Sequence, residues 1–346
     1  MRRRDLLTAG VPALAAPMLN FGLCRLNARP VRTFSTAAID LVYESVVIDM
    51  LGLFTRDWDR LQEWHDNPAS FTTGDLASLR SLGIAVFNPA VDLNARSPYS
   101  ETHKWLAGWN RLIDGRPDCF NRVASSSDIA ETRNTGRVGV LLGMQNADQF
   151  RTVSDIREFW EAGLRLSQLT YNGPNRLGDG CASYHDNGLT EFGAAVVRQM
   201  NQTGMIVDIS HCGSRTTIEA IEESARPVLV THSNCAALVP HPRCKSDEII
   251  RALAKQGGVM GVTSVRTFLW SSDRKKLGNC LDHIEHIARI AGIEHAGIGS
   301  DIDPSEAPAR IYDIADGLLR RGWSKDNIRL VLGGNFSRVI DQIFRS

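Results

Sequence analysis

The chain has 346 residues, 43% of them hydrophobic, with Lys+Arg and Asp+Glu balanced at 39 each. A formal charge of zero, with no basic run beyond the first four residues and no acidic tail, gives a nucleic-acid partner no electrostatic footprint. The length suits one α/β barrel of about 250 residues plus extensions, and it also admits two ordinary domains.

The first residues, MRRRDLLTAGVPALAAPML, run from arginines through Leu6-Leu7 into a mildly apolar, alanine-rich stretch. That is the order of an export signal, and Arg3-Arg4-Asp5-Leu6-Leu7 looks like a twin-arginine leader. Gly10, Pro12 and Pro17 break the apolar stretch, which is too short to span a bilayer as a helix. The expectation is a leader and linker over residues 1–40, followed by one domain over 41–346. Cleavage would leave a soluble periplasmic or secreted protein. Seven cysteines, at 24, 119, 181, 212, 235, 244 and 280, include no Cys-x-x-Cys pair. Pairing cannot be deduced from spacing, and free thiols would behave as small buried hydrophobes.

Beyond the leader, short apolar strands alternate with helical patterns. The strand segments are Val46–Asp49, Ile84–Phe87, Val138–Leu142, Leu164–Leu169, Met205–Ile209, Val228–Val230, Val259–Val262 and Ala296–Ile298. Apolar spacing near 3.6 predicts helices over Asp75–Ser81, Glu101–Leu112, Ser154–Ala162, Glu191–Gln202, Arg215–Glu223, Asp247–Gln256 and Asp282–Ala291. Gly83, Gly163, Gly204, Gly257 and Gly292 follow helical segments, where a left-handed residue stops a helix. Eight strands with intervening helices imply parallel crossovers, and a (β/α)8 TIM-type barrel of the metallo-dependent hydrolase kind suits the count better than an open sheet. No Gly-x-Gly-x-x-Gly turn follows the first strand, so dinucleotide binding has no support.

The strand ends carry the chemistry. Met205–Ile209 contains Asp208 and runs into Ser210-His211-Cys212; Pro227–Thr231 ends in His232-Ser233-Asn234; a loop carries His241-Pro242-Arg243; and Ala296–Ile298 leads to Gly299-Ser300-Asp301. In a parallel barrel these ends share one mouth. Two neutral imidazoles suit a metal or a proton relay, with Asp208, Ser210 or Asn234 to orient them. Arg243 offers a fork for a carboxylate, and Asp301 can carry a proton. The remaining histidines, at 65, 103, 185, 283, 286 and 295, have no such placement.

GLTEFGAAVVRQMNQTGMIVDISHCG, PVLVTHSNCAALVPHPRCKSDE, GGVMGVT, HIEHIARIAGIEHAGIGSDID, LSQLTYNGPNRLGDGC and GGNFSRV, over roughly residue 44 to the C-terminus, resemble the membrane (renal) dipeptidase family, peptidase family M19. The resemblance implies a (β/α)8 metallohydrolase of the amidohydrolase type that cleaves dipeptides at a two-zinc site. It implies that His211 and His232 are zinc ligands, that Arg243 binds the substrate carboxylate, and that Asp301 is the acid/base group. It also implies a homodimer. Three departures stand out. Leu51 and Leu53 occupy the positions of the family's first-strand His and Asp ligands. Gln145 stands where the bridging glutamate belongs, and Tyr171, beside Asn172, replaces a substrate-binding histidine. Catalytic zinc usually takes three protein ligands, so at most one zinc is expected, at His211 and His232 with Gln145 or Asp301 as a third donor. Cys212, Cys235 and Cys244 are poor substitutes, because residues next to a strand-end ligand point away from it. Tyr171 and Asn172 are expected at the substrate. The expected function is a dipeptidase-like metallohydrolase acting on dipeptides or a related small amide through a degenerate zinc site. The alternatives are a non-hydrolytic, metal-free enzyme that tailors a peptide-derived metabolite, and a silent ligand-binding homologue.

Overall fold

All eight apolar segments become staves of one parallel sheet. The computed structural model describes residues 33–269, 278–301 and 310–344, so the leader lies outside the described residues. The strands are β1 (Ile48–Asp49), β2 (Val86–Phe87), β3 (Phe120–Arg122), β4 (Val138–Val140), β5 (Gly143–Met144), β6 (Leu166–Gln168), β7 (Ile206–Asp208), β8 (Leu229–Ser233), β9 (Val259–Val262) and β10 (Ala296–Ile298). Their lateral order is β3-β4-β2-β1-β10-β9-β8-β7-β6-β5. β4 and β5 are successive parts of one extended run. β4 pairs in parallel with β2, and β5 pairs in parallel with β6. The run therefore joins both ends of the order and closes the barrel. β3 pairs alongside β4 as an extra short strand. The sequence pattern missed β3 because Phe120-Asn121-Arg122 has one apolar residue.

The barrel floor follows from strand periodicity. Ile48, Val86, Leu141, Leu166, Ile206, Leu229 and Val259 share one buried cluster. The C-terminal helix Asn335–Phe344 plugs that end with Phe336, Val339, Ile340 and Ile343. Side chains two residues apart share a face of a strand. Asp208 and Thr231 therefore follow Ile206 and Leu229 on the interior side, one layer nearer the mouth.

All seven helices expected from periodicity are present, with ends shifted by up to about four residues, the usual scale of boundary error. All five expected stop glycines take positive φ. Gly204 at φ 80 caps helix Glu191–Thr203 and turns the chain directly into β7. Helices Thr36–Glu44, Trp58–Asp66, Ser126–Thr135, Arg310–Arg320, Lys325–Arg329 and Asn335–Phe344 were not among those expected; Trp58–Asp66 and Ser126–Thr135 bury few residues. Helix Thr36–Glu44 packs on Arg310–Arg320, and Ser35 Oγ donates to Asp316 Oδ1 at 2.7 Å. Among the described residues, no helix is long and apolar enough to cross a membrane.

Candidate active site at the barrel mouth

The carboxylate inside β7 has four donors. Asp208 Oδ1 accepts from the Ser210 N–H at 3.0 Å, the Ser210 hydroxyl at 2.5 Å and the Thr231 N–H at 3.0 Å; Oδ2 accepts from the Thr231 hydroxyl at 2.7 Å. Burial nevertheless raises its pKa above the ordinary carboxylate value. An acid in an apolar strand is thus the node that ties the end of β7 to β8.

From that node a chain of hydrogen bonds reaches both imidazoles. The Thr231 hydroxyl proton is committed to Asp208, so Thr231 Oγ1 accepts from His232 Nδ1–H at 2.9 Å. His232 Nε2 is then an acceptor, and it lies 2.9 Å from His211 Nε2. Both rings are buried. Burial, followed by the charges of Arg243 and Lys245, holds both well below the ordinary histidine pKa, so both are neutral. Two neutral rings sharing that contact need one N–H between them, and His211 Nε2 supplies it. His211 Nδ1 is left as an acceptor, 2.8 Å from Asn172 Oδ1 as the amide is placed. An amide can present either end by a half-turn, and its N–H end serves this tautomer. Tyr171 stacks on His211 at 4.3 Å between ring centroids.

Arg243 joins the same cluster from its loop. Nη1 donates to the Ser210 carbonyl at 2.6 Å and Nη2 to the His232 carbonyl at 3.0 Å. Its Nε is buried without a hydrogen-bond partner. Both acceptors are neutral, and burial lowers the pKa of this guanidinium. Lys245, two residues on, is also buried. Its Nζ donates to the Cys212 carbonyl at 2.9 Å and Thr217 Oγ1 at 3.1 Å, again neutral acceptors, and burial pulls its pKa down to about 8.

Asp301 follows β10 and takes a left-handed backbone, φ 54, a region sparsely used by residues other than glycine. Its N–H donates to the Leu51 carbonyl at 2.7 Å. The preceding Ser300 is clamped by Asp49, which accepts from Ser300 N–H at 2.8 Å and from Ser300 Oγ at 2.5 Å. Asp49 is buried, and burial pushes its pKa up to about 6. Half-buried Asp301 is close enough for its charge to act on both Tyr171 and Arg243.

The structure therefore gathers His211, His232, Arg243, Tyr171, Asn172 and Asp301 around one mouth. Three details depart from the sequence reading. Asn172 and Thr231 orient the histidines, whereas Asn234 turns its amide to the Thr263 and Phe268 carbonyls at 3.3 and 3.0 Å. Gln145 donates its side-chain N–H to the Ala90 carbonyl at 2.9 Å. Lys245 and Asp49 were not expected at the site at all. Cys212 and Cys235 point away as alternation requires, toward Thr170 Oγ1 at 3.4 Å and the His283 carbonyl at 3.7 Å.

The donor set does not fit a zinc pair. Leu51 is buried and Leu53 half-buried, and neither can bind a metal. Among the described residues, no three His, Cys, Asp or Glu side chains form a group that could hold a metal ion. The two imidazole nitrogens aimed at the mouth are spent on each other, beside two fixed cations.

A closed parallel barrel with a His/His/Arg/Asp cluster at the C-terminal ends of its strands has the site placement of α/β-barrel enzymes. The fold is shared by an amidohydrolase from Pseudomonas aeruginosa, at 27% identity and TM-score 0.78 over 90% of this chain and all (100%) of that one. The probable dipeptidase PvdM from Pseudomonas aeruginosa shares it at 18% identity, with TM-score 0.74 over 89% of this chain and 98% of that one. The family model for membrane dipeptidase (peptidase family M19) matches residues 80–345. The chain belongs to that family. It is 32% identical over 244 residues to dipeptidase verJ of Clonostachys rogersoniana, covering 67% of this chain and 62% of the relative. It is 31% identical over 248 residues to dipeptidase aclJ of Aspergillus oryzae, covering 68% and 59%. The aligned stretch thus spans less than two thirds of each relative's length.

Proposed function

We propose that this chain binds a dipeptide, or a related small amide with a free carboxylate, at the barrel mouth and hydrolyses it. The observation that carries the reading is Arg243: a buried guanidinium whose acceptors are both neutral carbonyls, with Nε unpartnered. Among the described residues no carboxylate hydrogen-bonds this buried charge, and a substrate carboxylate would offset its desolvation. Asp301 takes the proton of an attacking water and returns it to the leaving amine as the C–N bond breaks. Tyr171 and Asn172 fix the His211 ring, and the imidazole pair, its four nitrogens already partnered, forms a rigid wall of the mouth. The family's zinc chemistry is not assigned to any step, because the donors present do not fit it.

A second reading draws on one observation. The imidazole pair is already a closed hydrogen-bonded chain, which suits acid–base tailoring of a peptide-derived metabolite without hydrolysis. Calorimetry and amino-acid release with Gly- and Ala-type dipeptides test both readings. Hydrolysis that falls at least about 100-fold in Asp301→Asn, with binding kept, supports the first. Binding without release favours the second or a silent ligand-binding homologue, and absence of binding at millimolar dipeptide overturns the proposal. The chain is further proposed to reach the periplasm by a twin-arginine leader. Replacing Arg3 and Arg4 with lysine should then retain it in the cytoplasm, and unchanged export would refute the leader.

A further inference from the structure

The mismatch with a metal pair has a second component, in a residue that the site motifs do not include. Lys245 reaches the back of the mouth because it pairs by a parallel bridge with Cys235, just after β8. Its Nζ is anchored on the Cys212 carbonyl, next to His211, and on Thr217 in the following helix. The chain surrounds this ammonium with neutral oxygens, so its charge is not cancelled at short range. Arg243 adds a second buried cation on the same strand ends. The Arg243 fork on the Ser210 and His232 carbonyls and Lys245 Nζ on the Cys212 carbonyl set both charges against the backbone that carries the two imidazoles. A fixed cation repels a divalent ion about twice as strongly as a monovalent one at the same distance.

We propose that Lys245 is the fixed cation that keeps divalent metal off the His211–His232 pair, supplying at the mouth the positive charge a metal would otherwise bring. The proposal rests on the placement of the mouth cluster described under Proposed function and not on any reaction there. Dipeptide turnover can fail while this inference stands, and the reverse is equally possible.

The test is zinc-ion titration calorimetry on chelator-dialysed full chain. Wild type should bind zinc more weakly than micromolar. Lys245→Met should gain at least about tenfold in zinc affinity, Lys245→Arg should not, and the gain should vanish in Lys245→Met/His211→Ala. Circular dichroism checks the fold of each variant, and Lys245→Gln replaces Lys245→Met if the latter does not fold. Two results overturn the proposal: zinc bound by wild type at sub-micromolar affinity, or folded Lys245→Met and Lys245→Gln proteins no tighter for zinc than wild type. The first needs no variant at all.

Discussion

Asp208→Ala is the sharpest perturbation of the site's internal support. The carboxylate accepts two backbone N–H groups, from Ser210 and Thr231, and two hydroxyls. The hydroxyls can turn toward each other, since Ser210 Oγ and Thr231 Oγ1 are 3.0 Å apart. The N–H groups cannot turn, and each buried donor left without an acceptor costs about 1–3 kcal/mol. Removing a buried carboxylate, whose ionised form burial disfavours, returns part of that. The net loss should be about 2–4 kcal/mol in urea unfolding followed by circular dichroism. Asp208→Asn keeps an oxygen for both N–H groups and should cost under about 1 kcal/mol. Its new N–H2 would face Thr231 Oγ1, freeing the Thr231 proton to donate to His232 Nδ1. The direction of the chain would reverse, and His232 would become the Nε2–H tautomer, visible in ¹⁵N spectra of the histidines. Asp208→Ala within about 0.5 kcal/mol of wild type, or Asp208→Asn as damaging as Asp208→Ala, would refute this account of the node.

Asp49 supplies a pH prediction. Its pKa rises from 3.8 unfolded to about 6 folded, so between those values the native state holds more protons than the unfolded one. Stability from this group is present below about pH 4 and is lost as pH rises through about 6, by up to roughly 3 kcal/mol. Asp49→Asn should flatten that slope in urea unfolding at pH 4 to 7; an unchanged slope contradicts it. Gly299→Ala would place a Cβ 1.8 Å from the Thr231 carbonyl oxygen. It should destabilise by at least about 2 kcal/mol, and a wild-type unfolding midpoint would count against the packing described. Arg243→Lys should keep the fold but weaken dipeptide binding in calorimetry, because a point charge cannot reproduce the fork; equal affinity would remove Arg243 from the ligand.

Much of this was legible in the residues. Alternating apolar runs and stop glycines gave all eight staves, because buried parallel strands read as continuous apolar segments. The strand-end histidines, Arg243 and Asp301 stood out because barrel geometry sends strand ends to one mouth. The supporting contacts were less visible. Thr231 reads as an ordinary strand threonine until its hydroxyl is seen between Asp208 and His232. Lys245 reads as a loop lysine, and only the parallel bridge to Cys235 shows that it turns inward. Asp49 looked like the end of a strand whose ligand positions had become leucines. Its partner, Ser300, is 251 residues away in sequence, and no local pattern connects the two.

Dipeptide binding measured before and after exhaustive chelation separates a metal-free mouth from a zinc site. A mouth built on Arg243 and a self-satisfied imidazole pair should bind the same dipeptide with unchanged affinity in chelator and in added zinc. Binding that disappears on chelation and returns with two equivalents of zinc per chain would contradict it.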